Sequence, residues 1–123
     1  MEEHEADIEP LRDDAIHTLE DHRESVFCVV FDSSGRFLVT GAMDHQAYLY
    51  DTTSYEKLFH FTGHDDSVTC LVFNHNSRIL ASGDMAGKVQ VWFSPPESPS
   101  TNWIRLAQFN TSKVFTRISR LHS

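Results

Sequence analysis

The chain has 123 residues, with 18 acidic and 10 basic side chains and a formal net charge of −8. Its longest apolar run, Val26 to Phe31, has six residues, far below the roughly 20 that cross a bilayer. The acidic start is the opposite of a secretory leader, and the negative charge gives no electrostatic footprint for nucleic acid. We therefore expect a soluble, cytoplasmic protein, with the nucleus as the alternative location, that contacts neither nucleic acid nor membrane.

Charge and composition divide the chain into segments. Residues 1–24 hold ten acids and two bases, and we expect residues 1–14 to form a disordered acidic arm. Residues 15–62 and 63–93 contain most of the strongly apolar side chains and are the predicted core. Three prolines lie between Ser94 and Ser100, which disfavours both helix and sheet, so 94–123 is predicted to be a Pro/Ser-rich linker followed by an irregular tail.

The middle of the chain repeats itself with an offset of 42 residues. Ten of the 31 positions from 21 to 51 carry the same residue in both copies, where chance gives about two or three on average residue usage. His22 falls on His64, and Phe31 falls on Phe73. A period of this length is typical of stacked repeats whose units cannot bury their apolar faces alone.

Each copy has the local signals of four short strands. Val26 to Phe31 and Val68 to Phe73 carry apolar residues at both alternating sets of positions, which predicts strands buried on both faces. Turn residues and further short apolar runs follow in each copy. The predicted later strands are 37–40, 47–50 and 58–61 in the first copy, and 79–82, 89–92 and, after the prolines, 103–109 in the second.

The repeated motifs resemble the WD repeat family of β-propellers. The second copy has Gly63-His64, then 80–83 with the sequence LASG, then 88–92 with the sequence KVQVW; the first copy has the same frame, with Asp21-His22 and Tyr50-Asp51. The resemblance implies an all-β fold of two four-stranded antiparallel blades of an incomplete propeller. The motifs at 25–29, 63–70 and 83–87 are most similar to the family of angio-associated migratory cell protein and its fungal ribosome-assembly counterpart.

The resemblance also implies a buried chain of hydrogen bonds in each blade. Its members are a histidine, a hydroxyl of the second strand, an acid of the next turn and a third-strand aromatic residue. The matching positions are His22, Thr40, Asp44, Tyr50, His64, Ser82 and Trp92. Ala86 occupies the acid position of the second copy, so that chain is one member short unless Asp84 or a water molecule compensates.

The family binds partners on the narrow face where the first strands begin and the second-to-third turns emerge. The matching residues are Arg23, Ser25, Phe27, Met43, Asp65, Ser67, Thr69 and Met85. The resemblance implies a non-enzymatic protein-interaction scaffold and, for the fungal branch, an escort for a ribosomal protein. A basic client would complement the acidic arm. The alternative is a generic adaptor in signalling or ubiquitin ligase complexes.

Two enzymatic or metal-binding interpretations are less favoured. His64, Ser82 and Asp84 have the residue types of a hydrolytic triad, but an interior strand denies a nucleophile the exposure it needs. The eight histidines show no metal-ligand spacing, and no cofactor is expected. Cys28 and Cys70 are predicted to be buried small side chains that are not joined, because packed sheets lie about 10 Å apart.

The number of repeats is too small for a closed ring. Propellers close with about four to eight blades, and only two copies are visible. Ile16 to Leu19 aligns with the predicted fourth strand at 58–61, and Val114 to Ile118 matches a third first strand weakly. We therefore expect a fragment that self-associates, with a last segment of about 30 residues, 94–123, that is not native propeller sequence.

Overall fold

The computed structural model describes residues 18–95 and 102–111, and these form eight strands and no helix. None of the described residues lies in a helix able to span a membrane. The arm at 1–14, Ile16 and the segment 114–118 are outside the described residues, and residues 18–20 are not in a strand. In chain order the strands are β1 Val26–Phe31, β2 Phe37–Ala42, β3 Ala47–Asp51, β4 Lys57–His60, β5 Val68–Phe73, β6 Ile79–Asp84, β7 Lys88–Phe93 and β8 Ile104–Asn110.

The strands form two antiparallel sheets of four, β1-β2-β3-β4 and β5-β6-β7-β8, which we call the first and second blades. This confirms the predicted fold class. The β1–β2 and β5–β6 turns are closed by polar side chains. The Asp32 carboxylate accepts a hydrogen bond from the Phe37 amide at 3.1 Å, and Asn74 Oδ1 accepts one from the Ile79 amide at 2.9 Å.

The two blades pack face to face through rows of cross-strand neighbours. Val30, Val39 and Leu49 lie opposite one another on β1, β2 and β3 and point at the second blade. Residues that pair directly across strands share one face of a sheet. On the second blade, the row that points at the first blade consists of Phe73, Leu80 and Trp92. Val39 and Leu80 are both fully buried.

Aromatic side chains and one glycine bring the blades close together. Phe61 lies 5.2 Å from Trp92 and 5.5 Å from Trp103, measured between ring centroids in edge-to-face geometry, which is favourable for aromatic pairs. Gly41 approaches Val68 of the other blade so closely that a Cβ at residue 41 would lie 2.6 Å from Val68 Cγ1. A larger residue at position 41 would therefore push the blades apart.

The prediction that β1 and β5 are buried on both faces is wrong for the described structure. Val29 and Phe31 are 55% and 57% exposed, and Val72 is 60% exposed. The side chains of each strand alternate between two faces, and each blade has a neighbour on one side only. The apolar sequence therefore marks faces that need two neighbours, of which the described chain provides one.

The expected irregular tail at 94–123 contains a strand. β8 Ile104–Asn110 pairs with β7 along its whole length and completes the second blade. Trp103, just before it, is buried against Phe61 and Phe73. The predicted fourth strand of the second copy, 103–109, is therefore confirmed as β8, so the second repeat extends beyond the predicted boundary at residue 93 and the proline-rich segment lies between β7 and β8 in sequence.

The two cysteines are less buried than predicted. Cys28 is half-buried, with Sγ 3.6 Å from the Val68 carbonyl oxygen, whereas Cys70 is exposed. Both are free thiols. Burial, and then the nearby Cys70 thiol, raise the pKa of Cys28 to about 11. Cys28 and Cys70 differ in exposure for the same reason that Val72 is exposed. Cys28 faces the second blade, whereas no described residue covers the equivalent face of the second blade, on which Cys70 lies.

A matched pair of leucines tests the contact between blades. Leu38 and Leu80 are equivalent positions, but Leu80 is fully buried and Leu38 only partly. We expect Leu80→Ala to lower the free energy of unfolding by about 2–5 kcal/mol. Leu38→Ala should cost clearly less, because water already reaches that side chain. Urea denaturation of both variants checks this, and equal losses would contradict the described packing.

Candidate functional site

The first blade contains a buried relay of three polar side chains. His22 Nδ1 lies 3.1 Å from both carboxylate oxygens of Asp44, and His22 Nε2 lies 2.6 Å from Thr40 Oγ1. An ionised carboxylate can only accept, so Nδ1 donates to Asp44. In the neutral imidazole, Nε2 then accepts a hydrogen bond from the Thr40 hydroxyl group. The structure thus brings together three of the residues that sequence placed in this chain.

The second blade contains the same relay in a fully buried form. His64 Nδ1 lies 2.8 Å from Asp84 Oδ2, and His64 Nε2 lies 2.8 Å from Ser82 Oγ. The His64 and Asp84 side chains are both 0% exposed. Every strong donor and acceptor of this buried group is therefore paired, as buried polar groups require.

The carboxylates of the two relays come from different positions of the repeat. The first blade has Ala42 and Asp44, whereas the second has Asp84 and Ala86 at the equivalent positions. Asp84 lies at the end of β6, and its Oδ1 accepts the amides of Ala86 and Lys88. Asp84 therefore supplies the acid that the sequence left missing at residue 86.

Both carboxylates are held in their ionised form. Burial alone would raise the pKa of Asp84, but His64 and the amides of Lys88 and Ala86 outweigh it, so the pKa lies below the ordinary 3.8. Burial is likewise the largest effect on Asp44 and is outweighed by the amides of Arg23 and Gln46 and by His22, so the pKa of Asp44 is also lowered.

The two third-strand aromatic residues differ in their contact with the relays: the Tyr50 hydroxyl is hydrogen-bonded to the relay member Thr40, whereas Trp92 is not bonded to its relay. The Tyr50 hydroxyl donates to Asp21 Oδ2 at 2.8 Å. Burial, and then Asp21, raise the pKa of Tyr50, while the Thr40 hydroxyl acts in the opposite direction. The Trp92 indole N–H has no acceptor among the described residues. Trp92 therefore contributes as an apolar core residue instead of as a member of the hydrogen-bond chain.

The second relay has the geometry of a hydrolytic triad but not its accessibility. Ser82 is 0% exposed, and a nucleophile must reach its substrate. The same relay recurs in the first blade, where a threonine hydroxyl takes the place of Ser82. The repetition of the relay is explained by the need to fix each β2–β3-type turn. Groups of metal-binding side chains are absent from the described residues.

The predicted partner-binding residues lie mostly on one exposed rim. Met43 and Met85 are 41% and 64% exposed, and Phe27 is 43% exposed. Arg23, Ser25 and Asp65 are also exposed, and Thr69 is half-buried. Ser67 is only 6% exposed, so it is not available as a contact. Its hydroxyl instead donates to the Met43 carbonyl oxygen at 3.4 Å.

Three hydrogen bonds connect the exposed turns of the two blades into one series. The Met43 amide donates to the Ser25 carbonyl at 2.8 Å, and the Met85 amide donates to the Ser67 carbonyl at 2.9 Å. Together with the bond from Ser67 to Met43, they form a continuous ridge that presents both methionines. We call this ridge, with Phe27 beside it, the rim.

Sequence reasoning missed an aromatic cluster next to the rim. The Tyr48 ring lies 4.8 Å from the His22 ring and 4.8 Å from the His60 ring, and Lys57 Nζ lies 4.4 Å from its centroid. Lys57 also pairs with Asp21 at 3.6 Å. Burial, and then the Lys57 charge, lower the pKa of His60. The only signal for this cluster in the sequence was that aromatic residues occupy alternate positions of β3, at Tyr48 and Tyr50.

Two packed, four-stranded antiparallel blades, each fixed by a histidine relay at the same turn, define part of a β-propeller. The family model described as "WD domain, G-beta repeat" matches residues 14–51 and 55–92. These matches cover more than half of the chain, so the chain belongs to the WD repeat family.

Solved structures show the same fold. Sqt1 of Saccharomyces cerevisiae is similar with a TM-score of 0.68 and 24% identity, over 75% of this chain and 24% of that one. The β-propeller domain of Myceliophteria thermophila Cps50 (Swd1) is similar with a TM-score of 0.60 and 15% identity, over 68% of this chain and 28% of that one. The chain thus spans about a quarter of these structures. No curated protein matches it.

The position of the second carboxylate can be tested by moving it. We expect Asp84→Ala to lower the free energy of unfolding by about 1–3 kcal/mol, because it leaves the buried His64 N–H unpaired. The double variant Asp84→Ala with Ala86→Asp copies the first blade and should regain at least half of the loss. Urea denaturation measures both, with Ala86→Asp alone as control. A double variant no better than Asp84→Ala would contradict the equivalence of the two relays.

The lowered carboxyl pKa values set an acid dependence of stability. Asp44 and Asp84 bind protons more weakly in the folded chain than in the unfolded one. Their contribution is therefore present above the ordinary pKa of 3.8 and is lost as the pH falls through the lower folded values. Asp84→Asn keeps an acceptor without the charge, so its unfolding free energy should fall less steeply below that pH. An unchanged slope would show that Asp84 does not carry the effect.

Proposed function

We propose that this chain is a non-enzymatic protein-interaction module that binds a basic client protein on the rim, as an escort during ribosome assembly. The observation that carries the proposal is the ridge through Ser25, Met43, Ser67 and Met85. It spans both blades and exposes methionines at equivalent positions. Unbranched, polarisable methionine side chains suit adaptable binding surfaces.

The rim is held in shape before any partner binds. Asp44 fixes its turn by accepting the Gln46 amide at 3.1 Å and the Arg23 amide at 2.8 Å, and Asp84 fixes the equivalent turn in the second blade. A surface that is ordered in advance loses less conformational entropy on binding. The buried relays therefore support the proposed function although they do not touch the client.

The described end of the acidic segment, residues 18–24, contacts the first blade and reaches the β2–β3 turn of the rim at Arg23. Asp21 is bonded to Tyr50 and Lys57, and the Arg23 amide is bonded to Asp44 of the β2–β3 turn. Residues 1–24 have a net charge of −8, while the remaining 99 residues are formally neutral, with eight acids and eight bases. A basic client would be attracted to this segment and guided toward the methionines.

The adaptor alternative makes a different prediction about charge. A generic adaptor in signalling or ubiquitin ligase complexes would use the rim without needing the acidic segment. The proposed escort uses both, so its affinity must fall as salt screens the charges. The enzymatic alternative has little support, because the Ser82 hydroxyl is fully buried.

Binding of synthetic peptides tests the proposal. We expect a lysine- and arginine-rich peptide to bind, and its acidic counterpart not to bind, in a titration calorimeter. Met43→Ser with Met85→Ser should weaken binding about tenfold, the effect of losing about 1.4 kcal/mol. Replacing the ten acids of residues 1–24 by their amides should abolish the salt dependence.

A matched control separates the rim from the rest of the surface. Ser34→Ala and His75→Ala change exposed residues in the β1–β2 and β5–β6 turns, at the opposite ends of the strands, and should leave the affinity unchanged. Equal affinity for basic and acidic peptides would refute the basic client and favour the generic adaptor. Unchanged affinity of the variant with Met43→Ser and Met85→Ser would refute the rim as the binding surface.

A further inference from the structure

Each blade also has an outer face that the described residues leave at least partly uncovered. The row Val30, Val39, Leu49 and Phe59 of the first blade is covered by the second blade. The equivalent row of the second blade is Val72, Ala81, Val91 and Ala107, which pair across β5, β6, β7 and β8. Val39 is 0% exposed, but Ala81 is only partly buried and Val72 is 60% exposed. We call this row, with Cys70, the second-blade face.

The opposite face of the first blade is partly uncovered by the described residues. In the second blade Phe73, Leu80 and Trp92 point at the first blade. The equivalent residues Phe31, Leu38 and Tyr50 are a paired row of the first blade; Tyr50 is covered, with 1% exposed, whereas Phe31 is 57% exposed. Phe31, Leu38 and Leu19 line an apolar depression there. We call Phe31, Leu38 and Leu19, with Val29, the first-blade face.

The covered interface shows what fits each bare face. Inside the chain, the row that begins with Phe73 is equivalent to the first-blade face. It is packed on the row that begins with Val30, which is equivalent to the second-blade face. The partner of the second-blade face is therefore a surface like the first-blade face, and a second copy of the chain carries one. Both faces are apolar, with smaller side chains in Ala81 and Ala107 than in Val39 and Phe59 of the covered row.

We infer that copies of this chain associate head to tail, with the first-blade face of one copy packed on the second-blade face of the next. This contact is heterologous, so it continues until the rotation between copies closes a ring. Propellers close with about four to eight blades, and two blades per copy give two to four copies. The rim is not part of either face, so assembly and client binding are independent.

Two variants with charges on opposite faces test this geometry. Phe31→Asp blocks the first-blade face and Val72→Asp blocks the second-blade face. Both residues are exposed in the single chain, so each variant should fold and keep the melting temperature of the monomer. Each alone should have the mass of one 14.1 kDa chain by light scattering, whereas the unchanged chain should reach a closed species of two to four copies as its concentration rises.

Mixing the two variants gives the decisive result. The intact first-blade face of Val72→Asp can pack on the intact second-blade face of Phe31→Asp, but neither remaining face can bind again. A one-to-one mixture should therefore give a dimer of twice the mass and nothing larger. His75→Asp, with the same added charge in an exposed turn, should assemble like the unchanged chain.

Cys70 provides a readout that needs no substitution. It is exposed in the single chain and lies on the second-blade face. Its alkylation should slow about tenfold at concentrations where the chain assembles. Monomers of the unchanged chain at high concentration would overturn the inference and leave blades of another protein as the occupant of both faces. Self-association of both variants without complementation would overturn it in favour of pairing at strand edges or between like faces.

Discussion

The structure depends on the contact between two apolar sheet faces. Neither blade can bury both of its faces by itself, and the fully buried side chains of Val39, Leu49 and Leu80 lie where the blades meet. Apolar burial stabilises by roughly 25 cal/mol per Å², so this contact is the main favourable term that the described residues share. The close approach at Gly41 and the aromatic contacts of Phe61 both follow from it.

The buried relays solve a second problem that the sheets create. A turn that follows an interior strand carries backbone amides that need acceptors, and the strand beside it is apolar. Asp44 and Asp84 supply those acceptors while each also bonds a histidine. The carboxylate comes from two different positions of the repeat, which shows that the structure requires an acid within reach of the histidine Nδ1 and not at one fixed place in the sequence.

The exposed surface follows from the same framework. The relays hold the two turns, and the bonds from Met43 and Met85 to Ser25 and Ser67 attach those turns to β1 and β5. The methionine side chains lie on these turns and are 41% and 64% exposed. A rim made in this way is rigid in its backbone and adaptable in its side chains, which is a suitable combination for an interaction surface.

The sequence by itself determined the blades, because short apolar strands and turn residues are local signals and their repetition after 42 residues is visible in the sequence. It also placed His22, Thr40, Asp44, His64 and Ser82 correctly, through their resemblance to a known pattern. Only the tertiary structure decided which apolar residues are covered, since Val30 and Val72 are identical in sequence and differ in their neighbours. It likewise decided that Asp84 replaces the missing acid and that Ser67 is buried, because these depend on distances between segments that are far apart in the chain.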